Sequence, residues 1–235
     1  MATSSVIPIS REERIEETPA QIFLQPVAAP SILGLYGFAA ATFIVAAHMA
    51  GWFGSAVTDF YLVPFAAVFG GIAQFSAGMW SFKARDAVAT AMHGTWGSFW
   101  IGFGLLQWAF LNGSLPKPTG PFASMGYWFI ALAAITWMGM WAASAESKVI
   151  ASVLGFLAAG STVAAIANLA GSAGIEIIAG YLFIISAIIA WYAASALMLE
   201  SAFHRPVLGL GKTRRAVEMP KLMPGRGEPG VIRGQ

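Results

Sequence analysis

The chain has 235 residues, a formal net charge of +2, 10% charged residues and 57% hydrophobic residues. A soluble domain carries about 25% charged residues, so this composition favours a membrane-embedded protein and leaves no room for a soluble catalytic domain. The absence of cysteine excludes disulfides and thiol chemistry.

Six apolar stretches are long enough to cross a membrane as helices. Each reaches the ~20 residues that a helix needs to span a hydrocarbon core about 30 Å thick, and none contains Lys or Arg. The sequence therefore predicts an all-α, polytopic membrane protein with six transmembrane helices and a transport domain over residues 30–203. The predicted spans are Ile32–Phe53, Phe60–Trp80, Thr90–Leu111, Phe122–Ala143, Val149–Ala170 and Ile175–Leu199.

The segment before the first span, residues 1–29, is polar and rich in glutamate. It lacks the apolar core and the small-residue cleavage site of a signal peptide, so we expect a cytoplasmic segment followed by a retained first span. Near the end of that span, His48 is a candidate for a proton relay. A lone membrane histidine is more often a hydrogen-bonded packing element, and that alternative stays open.

The second and third spans carry polar side chains at membrane depth. Gln74 lies on a row of small residues, where its amide either bonds across a helix interface or lines a pore. His93, near the start of the third span, is a second candidate for a proton relay, again with packing as the alternative. Gly94, Ser98 and Gly102 recur at four-residue spacing and predict a packing face on the third span.

The last two spans are followed by a basic tail. Asn168, at the end of the fifth span, either caps the helix or lines a path. Residues 204–235 contain seven Lys and Arg residues together with several prolines and glycines. We expect them to form a disordered cytoplasmic tail that is either solvated or rests on anionic membrane lipid.

Positive charge is distributed unequally between the two sides of the predicted bundle. Twelve of the thirteen Lys and Arg residues fall on the side of the termini, and Lys117 alone falls on the other. Cytoplasmic loops carry such an excess, so both termini are predicted to be cytoplasmic, in the bacterial inner membrane. The same asymmetry explains the basic residues better than a nucleic-acid partner does.

The sequence contains no pattern typical of an enzyme. The three histidines have no metal-ligand spacing, and neither a glycine-rich phosphate loop nor a nucleophile motif is present. We therefore expect no catalytic residues, no metal and no cofactor.

Two runs of residues are similar to a known family. They are Gly70-Gly71-Ile72-Ala73-Gln74-Phe75-Ser76-Ala77-Gly78-Met79-Trp80 and Trp96-Gly97-Ser98-Phe99-Trp100. In these runs, and over about Pro30–Leu199, the chain resembles the acetate uptake transporter family. It departs from the family's Asn-Pro-Ala-Pro-Leu-Gly-Leu signature at Ala29–Leu35, from an acidic residue at Ser81 and from a tyrosine at Trp96.

The resemblance implies a six-helix protomer that assembles into a homohexamer, with one solute path through each protomer. Members pass acetate and other short carboxylates, either coupled to protons or in a channel-like way. The positions that match the family's apolar constriction are Phe38, Trp96 and Leu157, for which ordinary interhelical packing is the alternative. The path is expected to be lined by Leu33, Gly34, Gln74, Asn168 and Tyr192.

The leading hypothesis is a permease or channel for acetate and related short monocarboxylates, with protons as a second partner. One alternative is a pore for another small solute such as ammonium, although no acidic cluster lies at membrane depth to attract a cation. The other is a non-transporting membrane scaffold or regulator that acts through the basic tail.

Overall fold

The computed structural model describes residues 27–55 and 57–213, and these form an all-helical bundle of six membrane-length helices. The second helix is interrupted: it runs through Thr58–Phe65, a π-helical segment Ala66–Ala73, and Gln74–Ala84, which together are called α2. The prediction of an all-α protein with six spans is confirmed. The other helices are α1 (Pro30–Met49), α3 (Ala87–Leu111), α4 (Ala123–Ser144), α5 (Lys148–Ala170) and α6 (Ala173–Phe203).

The predicted ends of the first, second and last spans each differ from the observed ends by four residues. Helix α1 ends at Met49 rather than Phe53, because Gly51 adopts a left-handed backbone with φ of 74° and turns the chain out of the helix. Helix α6 extends to Phe203, four residues beyond the predicted end, and stops where His204 takes a φ of 53°. Hydropathy alone does not predict either of these left-handed residues, which terminate the two helices.

Five of the six helices are long and apolar enough to cross a membrane by length and composition, and α3 falls below that hydropathy level. Helix α3 has 25 residues and no charged side chain, but it carries His93, Trp96, Trp100 and Gln107. All four of these side chains are buried. The helix is less apolar because its polar and aromatic residues face the interior of the bundle rather than lipid.

The π-helical segment of α2 lies against the middle of α1. It begins two residues after Pro64, which has no N–H to donate within the helix. Gly37 of α1 touches the Phe69 carbonyl oxygen so closely that a side chain there would clash with the backbone. Wide π-turns often occur at functional sites. This one contacts Gly37, which directly precedes Phe38 in the chain.

The predicted packing face of the third span is largely wrong. A Cβ atom built on Gly97 would lie 2.6 Å from the Phe75 backbone nitrogen, whereas one built on Gly102 meets nothing within 4 Å. Ser98 is exposed. Gly94 does approach α2 closely, but as the partner of Gly78. Several rows of small residues share this helix, and their spacing does not reveal which row faces a neighbour.

Residues 204–213 were predicted to belong to a disordered tail, and the structure instead packs part of them on the bundle. The Ser147 hydroxyl donates to the Leu210 carbonyl (2.6 Å), and the Thr213 N–H donates to the Glu146 carbonyl (2.9 Å). Lys212 Nζ binds the Glu200 carboxylate at 2.7 Å. This segment crosses the end of the bundle where α5 begins. The remaining tail, 214–235, and most of the N-terminal segment, 1–26, lie outside the described residues.

Candidate functional site: two vestibules and an apolar barrier

The end of the bundle that carries Lys117 contains a cavity of about 470 Å³, here called the outer vestibule. Residues from α1, α3, α4, α5 and α6 line it, together with the loop that precedes α4. Its mouth carries Lys117 and Glu176, and its floor is formed by Trp96 and Leu157. The mouth therefore carries one positive and one negative side chain.

The opposite end contains a second cavity of about 490 Å³, here called the inner vestibule. It lies where the described N-terminus and C-terminal segment meet the bundle, and Pro30, Asp86, Glu146 and Lys212 line its mouth. Leu35, His93 and Leu154 are among its deeper residues. The two cavities extend toward each other from opposite ends of the bundle.

On three helices, α1, α3 and α5, a residue that lines the inner vestibule is followed about one turn later by a residue of the apolar barrier between the two cavities. Leu35, His93 and Leu154 line the inner vestibule, and each is followed three residues later by a barrier residue: Phe38, Trp96 and Leu157. These three are 2%, 3% and 2% exposed. Three residues of helix rise about 4.5 Å, so roughly one turn of packed apolar side chains separates the cavities.

The barrier is held by specific contacts. The Phe38 and Trp96 rings meet edge-to-face with centroids 6.4 Å apart. Trp96 Nε1 donates to Thr136 Oγ1 of α4 at 3.0 Å, and that hydroxyl donates to the Leu132 carbonyl at 2.6 Å. The indole is therefore fixed by a hydrogen bond as well as by packing. These contacts support the predicted constriction.

Above the barrier the outer vestibule is walled by an aromatic cluster. The Phe99 ring lies 5.4 Å from Trp96, 5.5 Å from Trp100 and 5.5 Å from Phe129, measured between centroids. Phe129 in turn lies 6.2 Å from Phe183 of α6. Such a wall offers rigid apolar surface to a small solute and few polar partners.

Below the barrier, His93 packs against the backbone of Gly34. A Cβ atom at Gly34 would lie 2.5–2.6 Å from three atoms of the imidazole ring, so only glycine leaves room for this ring. His93 is buried, and within the described residues its Nδ1 has no hydrogen-bond partner. Asp86 and Glu146 line the mouth of the same vestibule.

Two other candidate residues, His48 and Asn168, both lie on the outer side of the barrier. His48 lines the outer vestibule, and its Nδ1 donates to the Phe53 carbonyl at 3.0 Å. Asn168 also lines the outer vestibule, and its amide bonds to the Ala164 carbonyl at 2.9 Å. Gly171, with a φ of 63°, caps α5 instead, which corrects the capping alternative for Asn168.

Of the five predicted lining residues, Asn168 alone is among the residues that line a vestibule; Gly34 lies against the His93 ring, and Leu33, Gln74 and Tyr192 lie away from both cavities. Leu33 is 51% exposed and Tyr192 is 40% exposed, and the Tyr192 hydroxyl donates to the Gly209 carbonyl at 2.9 Å on the outside of the bundle. Gln74 is buried beside Gly37 of α1 rather than in either cavity. Gln74 packs between helices, but its Oε1 has no hydrogen-bond partner within the described residues, so this oxygen does not make the predicted bond across the interface. Sequence similarity identified these positions but not the side of the helix that each one occupies.

Charge at the inner mouth is mixed. Partial burial, and then the neighbouring charge of Asp86, raise the pKa of the Glu146 carboxyl above its usual range. Among the described residues, no group of three or more His, Cys, Asp or Glu side chains is placed to hold a metal ion.

The Glu146→Gln variant should test that charge environment. A carboxyl whose pKa is raised on folding is destabilising when ionised, so its cost is absent below the unfolded pKa and grows as pH rises through the folded pKa. We therefore expect Glu146→Gln to increase thermal stability at pH 8 and to leave it unchanged at pH 4. Differential scanning fluorimetry in detergent at both pH values measures this, and Glu200→Gln, which breaks an ion pair, should lower stability at pH 8. A loss of stability in Glu146→Gln at pH 8 would contradict the assignment.

Three side chains in the outer vestibule were missed by the sequence analysis. Thr42 Oγ1, Trp100 Nε1 and Gln107 Oε1 are buried and have no hydrogen-bond partner within the described residues. Gln107 carried a detectable signal, since it is an amide in an uncharged span just as Gln74 is. Thr42 and Trp100 carried none, because both residue types are common in transmembrane helices.

Comparisons with known proteins give a consistent result. The family model described as the GPR1/FUN34/yaaH family matches residues 14–210. The succinate-acetate/proton symporter SatP of Escherichia coli is 28% identical over 189 residues, covering 80% of this chain and 97% of that protein. Ammonia transport outward protein 2 of Saccharomyces cerevisiae is 30% identical over 171 residues; the match covers 71% of this chain and 60% of the yeast protein.

A solved structure has the same fold. It is titled as the structure of the bacterial acetate channel SatP, and it aligns with a TM-score of 0.73 at 27% identity. The alignment covers 79% of this chain and all of that chain.

Proposed function

Because the chain belongs to the GPR1/FUN34/yaaH family, we propose that it is a membrane permease or channel for acetate and related short-chain carboxylates. The observation that carries this proposal is the pair of vestibules separated by one turn of apolar side chains. Such a path passes a small solute while the barrier excludes hydrated ions. The path carries no Lys or Arg within a helix interior, which favours weak binding and rapid passage over tight capture.

Proton coupling is part of the proposal. His93 lines the inner vestibule and His48 lines the outer one, so the two candidate proton carriers lie on opposite sides of the barrier. A carboxylate that crosses as the neutral acid needs a proton donor on one side and an acceptor on the other. We propose His93 and His48 for these two roles.

The alternative of an ammonium pore is favoured by the similarity to the yeast ammonia transport protein. The two solutes differ in hydrogen bonding, since ammonium only donates and a carboxylate only accepts. Direct flux measurements separate them. A non-enzymatic role accords with relatives that are named as a symporter and a channel.

We further propose a homohexamer in the bacterial inner membrane. Support for the membrane location comes from large apolar and aromatic side chains that cover the outside of the bundle, and from the placement of the described basic residues mainly at one end. The hexamer follows from the family resemblance, and native mass spectrometry in mild detergent should detect it.

Flux across a sealed bilayer tests the proposed function. The purified protein in liposomes should take up radiolabelled acetate faster than empty liposomes at pH 6, and an inward proton gradient should accelerate uptake. Carboxylic acids of this type titrate near ~4–5, as Asp and Glu do, so mild acidification increases the neutral species. Acetate uptake equal to that of empty liposomes, with rapid ammonium flux in the same vesicles, would replace this proposal by the alternative.

A further inference from the structure

Two polar side chains lie one helical turn outward of the barrier. Thr42 follows Phe38 by four residues on α1, and Trp100 follows Trp96 by four residues on α3. Both residues line the outer vestibule and each is 4% exposed. Four residues of helix rise about 6 Å, so Thr42 and Trp100 are at the same depth, on two helices that both contribute to the barrier.

Neither side chain has a hydrogen-bond partner within the described residues. Most buried polar side chains at comparable depth are bonded: Ser161 donates to the Leu157 carbonyl at 2.8 Å, and Ser186 donates to the Val153 carbonyl at 2.8 Å. A buried donor left unsatisfied costs about 1–3 kcal/mol. Of the five unsatisfied buried side chains in the described part of the chain, three line the outer vestibule: Thr42, Trp100 and Gln107.

The chemistry of these groups restricts the partner they can take. An indole N–H donates and does not accept, so the partner of Trp100 Nε1 has to be an acceptor. A threonine hydroxyl donates equally well to the same group. A carboxylate has two acceptor oxygens and forms shorter and stronger hydrogen bonds with neutral donors than a carbonyl does. Ammonium, which has no acceptor, does not fit the indole.

We propose that Thr42 and Trp100 form a carboxylate-binding subsite on the outer side of the barrier. Gln107 lies seven residues beyond Trp100 on α3, about 10.5 Å along the helix, and is not part of this subsite because its unsatisfied Oε1 is an acceptor. The subsite rests on the proposed function, because it names the groups that hold the transported carboxylate before it enters the barrier. The helix interiors contain no Lys or Arg, and in this subsite a neutral N–H and a neutral O–H bind the carboxylate instead.

Shape-conserving substitutions test this subsite. Thr42→Val and Trp100→Phe remove the donor while keeping most of the volume, and Thr42→Ser keeps the hydroxyl. Each loss of a hydrogen bond to a charged group should raise the half-saturating acetate concentration about tenfold, with maximal flux within about twofold of the unsubstituted protein. Thr42→Ser should remain close to the unsubstituted protein.

The chain supplies a matched control pair. Trp137 Nε1 donates to Thr162 Oγ1 at 3.3 Å, and neither residue lines the outer vestibule. Trp137→Phe and Thr162→Val repeat the same chemical changes there and should leave the half-saturating concentration unchanged. Broadening of the ¹³C-acetate resonance by the protein in detergent gives a binding readout independent of flux, and it should weaken in Thr42→Val and Trp100→Phe only.

Two results would overturn parts of the account, and they are distinguishable. If the unsubstituted protein moves acetate while Thr42→Val and Trp100→Phe keep its half-saturating concentration and its line broadening, the subsite is wrong and the proposed function stands. If the unsubstituted protein neither binds nor moves acetate, both are wrong.

Discussion

Replacing Trp96 with alanine is expected to raise acetate flux per folded protein and to admit succinate. The indole forms the floor of the outer vestibule and meets Phe38 edge-to-face at 6.4 Å, so its removal joins the two vestibules. Each 1.4 kcal/mol removed from the barrier increases the rate about tenfold. We expect about this change for acetate, and a larger relative gain for succinate, because the wider solute benefits more from added space.

The substitution also has a cost in stability, which the assay has to separate from permeation. Truncating a buried aromatic side chain costs about 3–5 kcal/mol in a soluble core, so flux has to be expressed per folded protein. Trp137→Ala makes the same truncation on α4 at a side chain that lines neither vestibule. It should leave selectivity unchanged. Unchanged acetate and succinate fluxes in Trp96→Ala would mean that Trp96 only packs.

The Gly34→Val substitution is expected to have the opposite effect and to block the path. Its Cβ would lie 2.5–2.6 Å from the His93 ring, so the ring has to move toward the inner vestibule, where it already forms part of the wall. The displaced ring would occupy part of the inner vestibule beside the barrier; a permeation barrier raised by about 1.4 kcal/mol lowers flux about tenfold, and we expect a loss of at least that size. Proteoliposome flux per folded protein measures the loss.

A second substitution makes this test specific. His93→Ala in the Gly34→Val background removes the clashing ring and should restore acetate flux, although the dependence on a proton gradient should weaken if His93 carries protons. Gly155→Val is the matched control, since its nearest neighbour is Met140 Cγ at an ordinary 3.6 Å. Normal acetate flux in Gly34→Val, unchanged by adding His93→Ala, would show that Gly34 and His93 do not control permeation on the inner side of the barrier.

Much of the fold could be predicted from the sequence because the bilayer imposes a simple constraint. A span needs about 20 apolar residues, and that requirement identified all six helices, including α3 with its buried polar side chains. The distribution of Lys and Arg placed Lys117 at the opposite end from the other described basic residues, as the structure does. Both signals are averages over many residues, so a local irregularity such as the π-helical segment of α2 does not change the prediction.

The orientation of single side chains could not be predicted in the same way. Leu33 and Tyr192 match positions in the family resemblance, yet both lie on the outside of the bundle. The contact of His93 with Gly34 joins residues on different helices, and no spacing within one helix encodes it. Leu210 is held by a hydrogen bond from Ser147, which is 63 residues away in sequence. Each of these features arises from tertiary packing.

Single-cysteine labelling tests most directly the claim that two vestibules meet at one barrier, because the chain has no cysteine of its own. Val45 lines the outer vestibule and Ile150 lines the inner one, and Ser114 lies exposed on the loop before α4. A membrane-impermeant thiol reagent added outside should modify Val45→Cys and stop acetate flux, and should modify Ser114→Cys without stopping it. Ile150→Cys should react, and lose flux, only with reagent on the cytoplasmic side. Equal labelling of Val45→Cys and Ile150→Cys from one side, or full acetate flux after both are modified, would contradict the account.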